Sequence, residues 1–169
     1  MMGRLGIFVL LMLTAALVQT TFFARSLFFD VTPDLLLGVV ICLALLEGPT
    51  AGAVAGFSVG LLRDLLLDSP VGFTGLAYLI VGYTVGIVRP YVQSSSVMIP
   101  VVGIFVGSLA GTSIHQILLA LVDRSSIGFD RQVRVILLTA VFNALLTPFL
   151  YPAIRRLTSL YQKEKVYRW

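Results

Sequence analysis

The sequence predicts an all-α integral membrane protein, a bundle of six transmembrane helices, and three observations carry that expectation. Of 169 residues, 58% are hydrophobic and 12% charged, with a mean hydropathy of +1.00, against roughly 25% charged in a soluble domain. The 12 basic and 8 acidic side chains cannot clothe a globular core in a polar shell. The apolar residues fall into six runs, each close to the roughly 20 residues that cross a bilayer. The connections between runs are short, which leaves no room for a separate soluble domain.

The runs have local causes. The first covers residues 5–23 and stops at Arg25; it resembles a signal peptide but continues through Gln19, Thr20 and Thr21 without a small-x-small cleavage pattern, so it reads as an uncleaved helix. The second opens at Thr32-Pro33-Asp34, where proline at a first helical position gives up only an orphan N–H and aspartate favours the positive helix end. It closes at Glu47-Gly48-Pro49, and so little sequence separates it from the third run, residues 50–67, that a tight helical hairpin is expected there. Asp68-Ser69-Pro70 ends the third run, residues 73–88 form the fourth up to Arg89-Pro90, and residues 97–122 form the fifth. The polar stretch 123–132 precedes the sixth, residues 133–154. Two units follow: a six-helix transmembrane domain over residues 1–154, and a basic, aromatic cytoplasmic tail over 155–169 suited to anionic headgroups.

Six spans put both termini on one side. That side holds Arg4, Arg89, Arg155, Arg156, Lys163, Lys165 and Arg168, against Arg25, Arg63, Arg124, Arg131 and Arg134 on the other, which assigns both termini to the cytoplasm. Asp30, Asp34, Asp64, Asp68, Asp123 and Asp130 all fall on the opposite side. The net charge of +4 is therefore topology information rather than a nucleic-acid footprint, because the basic residues are dispersed and make no continuous face. Cys42 is the one cysteine, so neither an intrachain disulfide nor a multi-cysteine metal or redox site can form. The sequence has no phosphate loop, no His-Glu-x-x-His and no second histidine. Enzyme is the least supported class, and no cofactor is implied.

The most informative pattern is glycine at every fourth position. Gly48, Gly52, Gly56 and Gly60 lead to Asp64 in the third run, and Gly103, Gly107 and Gly111 lead to His115 in the fifth; an offset of 51 residues superposes the two series from Gly52 onward. Such spacing makes one small-residue stripe into which a neighbouring backbone can pack closely. The simpler reading is helix packing within the subunit; the alternative is docking of another protein's membrane helix. Gly82 and Gly86 in the fourth run belong to the same class. Among the polar residues, Arg63 is expected to snorkel outward, since neighbours on a helix diverge by about 100° and Arg63 cannot face Asp64. Asp64 is either a partly solvated helix end or a buried hydrogen-bonding group, and His115 reads as an interhelical hydrogen-bonding residue rather than a proton relay. Asn143 precedes Pro148, whose missing N–H loosens the backbone near Ala144; helix packing is again the simpler reading.

The order Pro33-Asp34-Leu35-Leu36-Leu37, Gly52, Gly56-Phe57, Gly60-Leu61, Asp64, Gly72, Gly82-Tyr83 and Arg89 resembles the rod shape-determining protein MreD family, as does Asn143 with Leu146-Thr147-Pro148. The resemblance implies a multi-pass protein of the bacterial inner (cytoplasmic) membrane. It implies a non-catalytic scaffold of the elongation machinery that binds MreC and links it to peptidoglycan synthesis. A RodA-type glycosyltransferase, a class B penicillin-binding protein and, indirectly, MreB are the further partners it implies, beside the lipid bilayer. The family is also similar in fold to the substrate-binding subunits of energy-coupling-factor transporters. That likeness keeps open a small-molecule, vitamin-type binding subunit with a cavity near Asp34 and Asp64.

Overall fold

The computed structural model describes residues 33–66, 70–92, 98–122 and 128–166, together with residues 12, 14, 15, 17 and 19 of the first apolar run. Among the described residues the chain forms α1 (Leu35–Glu47), α2 (Pro49–Leu66), α3 (Phe73–Ile87), the single turn α4 (Arg89–Val92), α5 (Met98–Leu121) and α6 (Phe129–Val166). Most of the first run, the polar connection with Arg25 and Asp30, residues 123–127 and the end of the chain lie outside the described residues.

α1 is the axis of the bundle. Its side chains are apolar on every face, and Leu35 to Leu45 are all buried; a helix apolar all round must be surrounded by others. At 13 residues it is about 20 Å long, shorter than the roughly 30 Å hydrocarbon core, and its neighbours rather than lipid cover it. Pro33 and Asp34 precede the helix instead of opening it, and the Asp34 side chain caps it by accepting from the Leu37 N–H at 3.2 Å.

The chain then reverses in one residue. Gly48 has φ 100°, a left-handed backbone suited to glycine, and its N–H bonds the Ala44 carbonyl at 2.9 Å. Pro49 starts α2, where its missing N–H costs nothing. The hairpin expected at Gly48-Pro49 is therefore present, and Arg89 Nη1 closes it by donating to the Glu47 carbonyl at 3.3 Å.

α2 and α3 form an antiparallel pair with almost no side chain between them: Gly52 faces Gly82, Gly56 faces Tyr78 and Leu79, Gly60 faces Thr74 and Gly75, and Gly86 faces Pro49. α5 runs antiparallel to α1, with Gly103 opposite Leu45, Gly107 opposite Ile41 and Gly111 opposite Leu37. α6 runs alongside, placing Leu150 against Gly38. The core also takes in Met12 and Ala15 of the first run.

Met98–Leu121 and Asp130–Ser159 are long and apolar enough to cross a membrane; Leu35–Glu47 and Phe73–Ile87 are shorter apolar helices. Large apolar side chains point outward on all of the long helices except α1. Val54 on α2, Tyr83 and Ile87 on α3, Val102 and Ile117 on α5, and Leu145 and Phe149 on α6 are exposed. That is the arrangement of a bundle solvated by lipid tails.

The last helix departs from expectation. Its predicted start at Val133 is extended back to Phe129, and no break falls at residue 154, where a separate tail was expected: the helix continues to Val166 through Pro148 and Pro152. Its 38 residues span about 57 Å, nearly twice the hydrocarbon thickness. A proline removes one backbone donor but leaves the remainder of the ladder able to carry the helix on.

Candidate functional site: a buried polar cluster joining five helices

Asp34 is the hub of the polar groups. While Oδ1 caps α1, Oδ2 accepts from Arg63 Nη1 at 2.7 Å and from the Tyr78 hydroxyl. Arg63 also donates to the Tyr78 hydroxyl and lies 5.7 Å from its ring centroid. On the other side of Asp34, its backbone N–H donates to Asn143 Oδ1 at 3.1 Å, and Asn143 Nδ2 donates to Ser108 Oγ at 2.9 Å. The Asn143 carbonyl, near the loosened turn at Pro148, accepts from Thr147 Oγ1 at 2.9 Å. One connected set of bonds thus reaches α1, α2, α3, α5 and α6. Asp34, Tyr78, Asn143 and Ser108 are all buried.

Arg63 turns inward, contrary to the outward snorkelling expected. An arginine near a helix end can reach either way, and here a buried carboxylate on the next helix lies within its reach. Leaving that carboxylate unpaired in a low-dielectric interior costs more than ordering one side chain. The guanidinium stays partly exposed, with 22% of its side-chain surface accessible.

Asp64 makes a second tie at the same end of the bundle. It is 1% exposed, and its Oδ2 accepts from the Gly72 N–H at 2.8 Å and the Thr74 N–H at 3.1 Å. The reason is local. Gly72 stands at the N-cap of α3 with φ 99° and has no side chain to cap the helix, so α2 supplies the carboxylate that the exposed N–H groups need. Of the two readings open for Asp64, the geometry is that of a buried hydrogen-bonding group.

The two glycine ladders, alike in sequence, meet different surroundings. A Cβ at Gly52, Gly56 or Gly60 would stand less than 3.0 Å from main-chain atoms of α3; α3 fills that groove, so this stripe is packed from within the chain. On α5 the neighbours are side chains, with a Cβ at Gly103 3.5 Å from Leu45 Cδ1 and one at Gly111 2.9 Å from Leu37 Cδ2. His115, at the end of that stripe, has no partner for Nε2 among the described residues. Phe57 lies apart from the cluster with 43% of its surface exposed, Pro33 is buried, and Pro148 is exposed.

Tyr78 and Ser108 belong to the cluster although no sequence motif singled them out. A readable signal exists for each: Tyr78 sits between Gly75 and Gly82 on the packing face of α3, and Ser108 follows Gly107 on the packing face of α5. Chemically the cluster neutralises charge and ties helices together. The Asp34 carboxylate is engaged by three donors, and no group of three or more His, Cys, Asp or Glu side chains able to hold a metal ion occurs among the described residues.

Comparison with curated proteins and with solved structures gives no match. The family model of the rod shape-determining protein MreD matches residues 2–157. That stretch contains every helix crossing and every cluster residue described above, and the chain belongs to the MreD family of rod shape-determining membrane proteins.

Proposed function

We propose that the chain is a non-catalytic membrane scaffold of the bacterial elongation machinery. In this reading it binds MreC and links it to peptidoglycan synthesis by a RodA-type glycosyltransferase and a class B penicillin-binding protein, and indirectly to MreB. The family match over residues 2–157 carries the reading. The geometry supports it: the polar groups are spent on holding helices together, while apolar side chains cover the outer faces, as suits a body that meets lipid and other membrane helices. Because α3 fills the α2 ladder, partner helices dock on the outward faces in this proposal.

The proposal includes six spans, with both termini cytoplasmic in the inner membrane, and a fold like the substrate-binding subunits of energy-coupling-factor transporters. Five long helices are described, and Met12 of the first run joins their core. The small-molecule reading gains little, since Arg63 and Tyr78 already occupy Asp34, the group that a ligand would need.

Gentle affinity purification from bacterial membranes, with identification of co-purifying proteins and small molecules, tests the proposal. Recovery of a single-span MreC in stoichiometric amount is expected. A retained small molecule with no MreC would replace the scaffold by the transporter reading.

A further inference from the structure

The outward side of α6 changes character along its length. Leu137, Val141, Leu145 and Phe149 follow one another at four-residue steps, so they share one side of the helix, and all four are exposed. Pro152, Arg155 and Arg156 continue on that side and are exposed as well, whereas Asn143, Thr147 and Ile154 mark the opposite, buried side. From the exposed Val133 to Pro152 the helix rises about 29 Å, which matches the roughly 30 Å hydrocarbon core. Asn143 meets Asp34 and Leu150 meets Gly38, so α6 runs parallel to α1. The two arginines then lie within about one turn of the end of the bundle that holds Gly48 and Arg89, where hydrocarbon gives way to headgroups.

Nothing in the described chain answers these two charges. Arg63 is paired with Asp34, and Arg89 donates to the Glu47 carbonyl, but among the described residues no hydrogen bond or ion pair engages the guanidinium of Arg155 or of Arg156. Only their main-chain carbonyls are occupied, by the Thr158 and Ser159 hydroxyls. The buried carboxylates Asp34 and Asp64 are at the other end of the bundle and are bonded there. Each guanidinium is a planar fork whose N–H groups match two oxygens of a phosphate. Standing about 100° apart on the helix, the pair faces adjacent headgroups around its rim. A zwitterionic headgroup brings a cation with its phosphate, so only a headgroup of net negative charge leaves both arginines neutralised.

We propose that the Arg155–Arg156 face of α6 is a binding surface for anionic phospholipid headgroups, with the acyl chains lying along the stripe of Leu145 and Phe149. The continuous helix fixes the depth of both side chains, which a separate tail could not do. The surface requires that α6 cross the bilayer and does not depend on the scaffold reading.

The full chain in nanodiscs of phosphatidylcholine, alone or mixed with phosphatidylglycerol, tests it, read by thermal melting and by native mass spectrometry of the lipids that stay bound. Retention of phosphatidylglycerol over phosphatidylcholine is expected, with a higher melting temperature in the mixed discs. An arginine near an anionic surface is worth about fivefold in binding, so Arg155→Gln with Arg156→Gln should cut the preference by a factor of about 25. Arg155→Lys with Arg156→Lys, which keeps the charge, should retain most of it, as should Arg134→Gln, at the other end of α6 one turn after the exposed Asp130. In phosphatidylcholine alone the glutamine variant should melt like the parent; a fall there would show that the arginines serve the fold, and would overturn the surface. Equal retention of the two lipids by the parent, or a preference that survives the glutamines, would overturn it too. Loss of a co-purifying protein from the glutamine variant, with the lipid preference intact, would assign the surface to that protein instead.

Discussion

Gly56→Ala is the sharpest test of how this bundle is held. An added Cβ would stand 2.5 Å from the Tyr78 carbonyl carbon and 2.9 Å from the Leu79 nitrogen. Ordinary contact begins at 3.4 Å and the Tyr78 carbonyl oxygen lies closer still than its carbon, so α3 must retreat by more than about 0.9 Å at the crossing, and main chain cannot rotate aside as a side chain can. Overpacking a core costs about 1–3 kcal/mol, and a backbone neighbour argues for the upper end. Alanine returns about 1 kcal/mol through its helix propensity, leaving a net loss near 2 kcal/mol. For a chain of this size that is a fall of about 4–8 °C in melting temperature. Gly103→Ala is the matched control, because its Cβ would meet only the two Leu45 methyls, at 3.5 and 3.8 Å, and the propensity gain should leave it as stable as the parent or more so. Both variants would be melted in the same detergent and followed by circular dichroism and by the surviving monodisperse fraction. Equal melting temperatures for the two would refute the claim that the α2 ladder, and not glycine content in general, sets the packing.

Three further outcomes follow from the polar ties and the charge distribution. Arg63→Met leaves the buried Asp34 carboxylate without its cation and should cost about 2–3 kcal/mol, below the 3–5 kcal/mol of a fully buried pair because Arg63 is partly exposed; adding Asp34→Asn should recover part of the loss, and a strictly additive double variant would contradict the pairing. Asp64→Ala removes the acceptor for the Gly72 and Thr74 N–H groups and should cost about 1–2 kcal/mol, with faster amide hydrogen exchange at the start of α3; unchanged exchange there would rule out the capping role. Reporter fusions check orientation: a fusion at Ser126 should be active only as a non-cytoplasmic reporter and one at Ser95 only as a cytoplasmic one, and a cytoplasmic Ser126 would break the six-span topology.

The helices were legible because their causes are local. Apolar runs, the Gly48-Pro49 break, the proline after Val88-Arg89 and the small-residue stripes act within a turn or two of chain, and α2, α3 and α5 lie within a residue or two of where those signals place them. The last helix is longer at both ends than its apolar run, reaching from Phe129 to Val166. Polar composition at 129–132 and at 155–166 reads as loop or tail, whereas a helix already nucleated in the bundle propagates through such residues at little cost. Asp34, Asp64 and Asn143 stood out as polar residues in apolar surroundings, and all three are buried and bonded. Tyr78 and Ser108 did not stand out, since a tyrosine or a serine in a membrane helix is unremarkable until its partner on another helix is known.

Composition and periodicity by themselves determined that this chain is helical and apolar, and which faces of its helices are narrow enough for close approach. The order of motifs from Pro33 to Arg89 was enough to expose its family. Only the tertiary structure decided what each narrow face meets. One glycine stripe is pressed against the backbone of α3 and the other rests on leucine and isoleucine side chains, although the two are spaced identically in sequence. It also decided the direction of Arg63, because the sign of that choice rests on a carboxylate 29 positions away. Spacing along one helix fixes which residues share a face, but the energy of a face depends on what is packed against it, and that is a property of the assembled bundle.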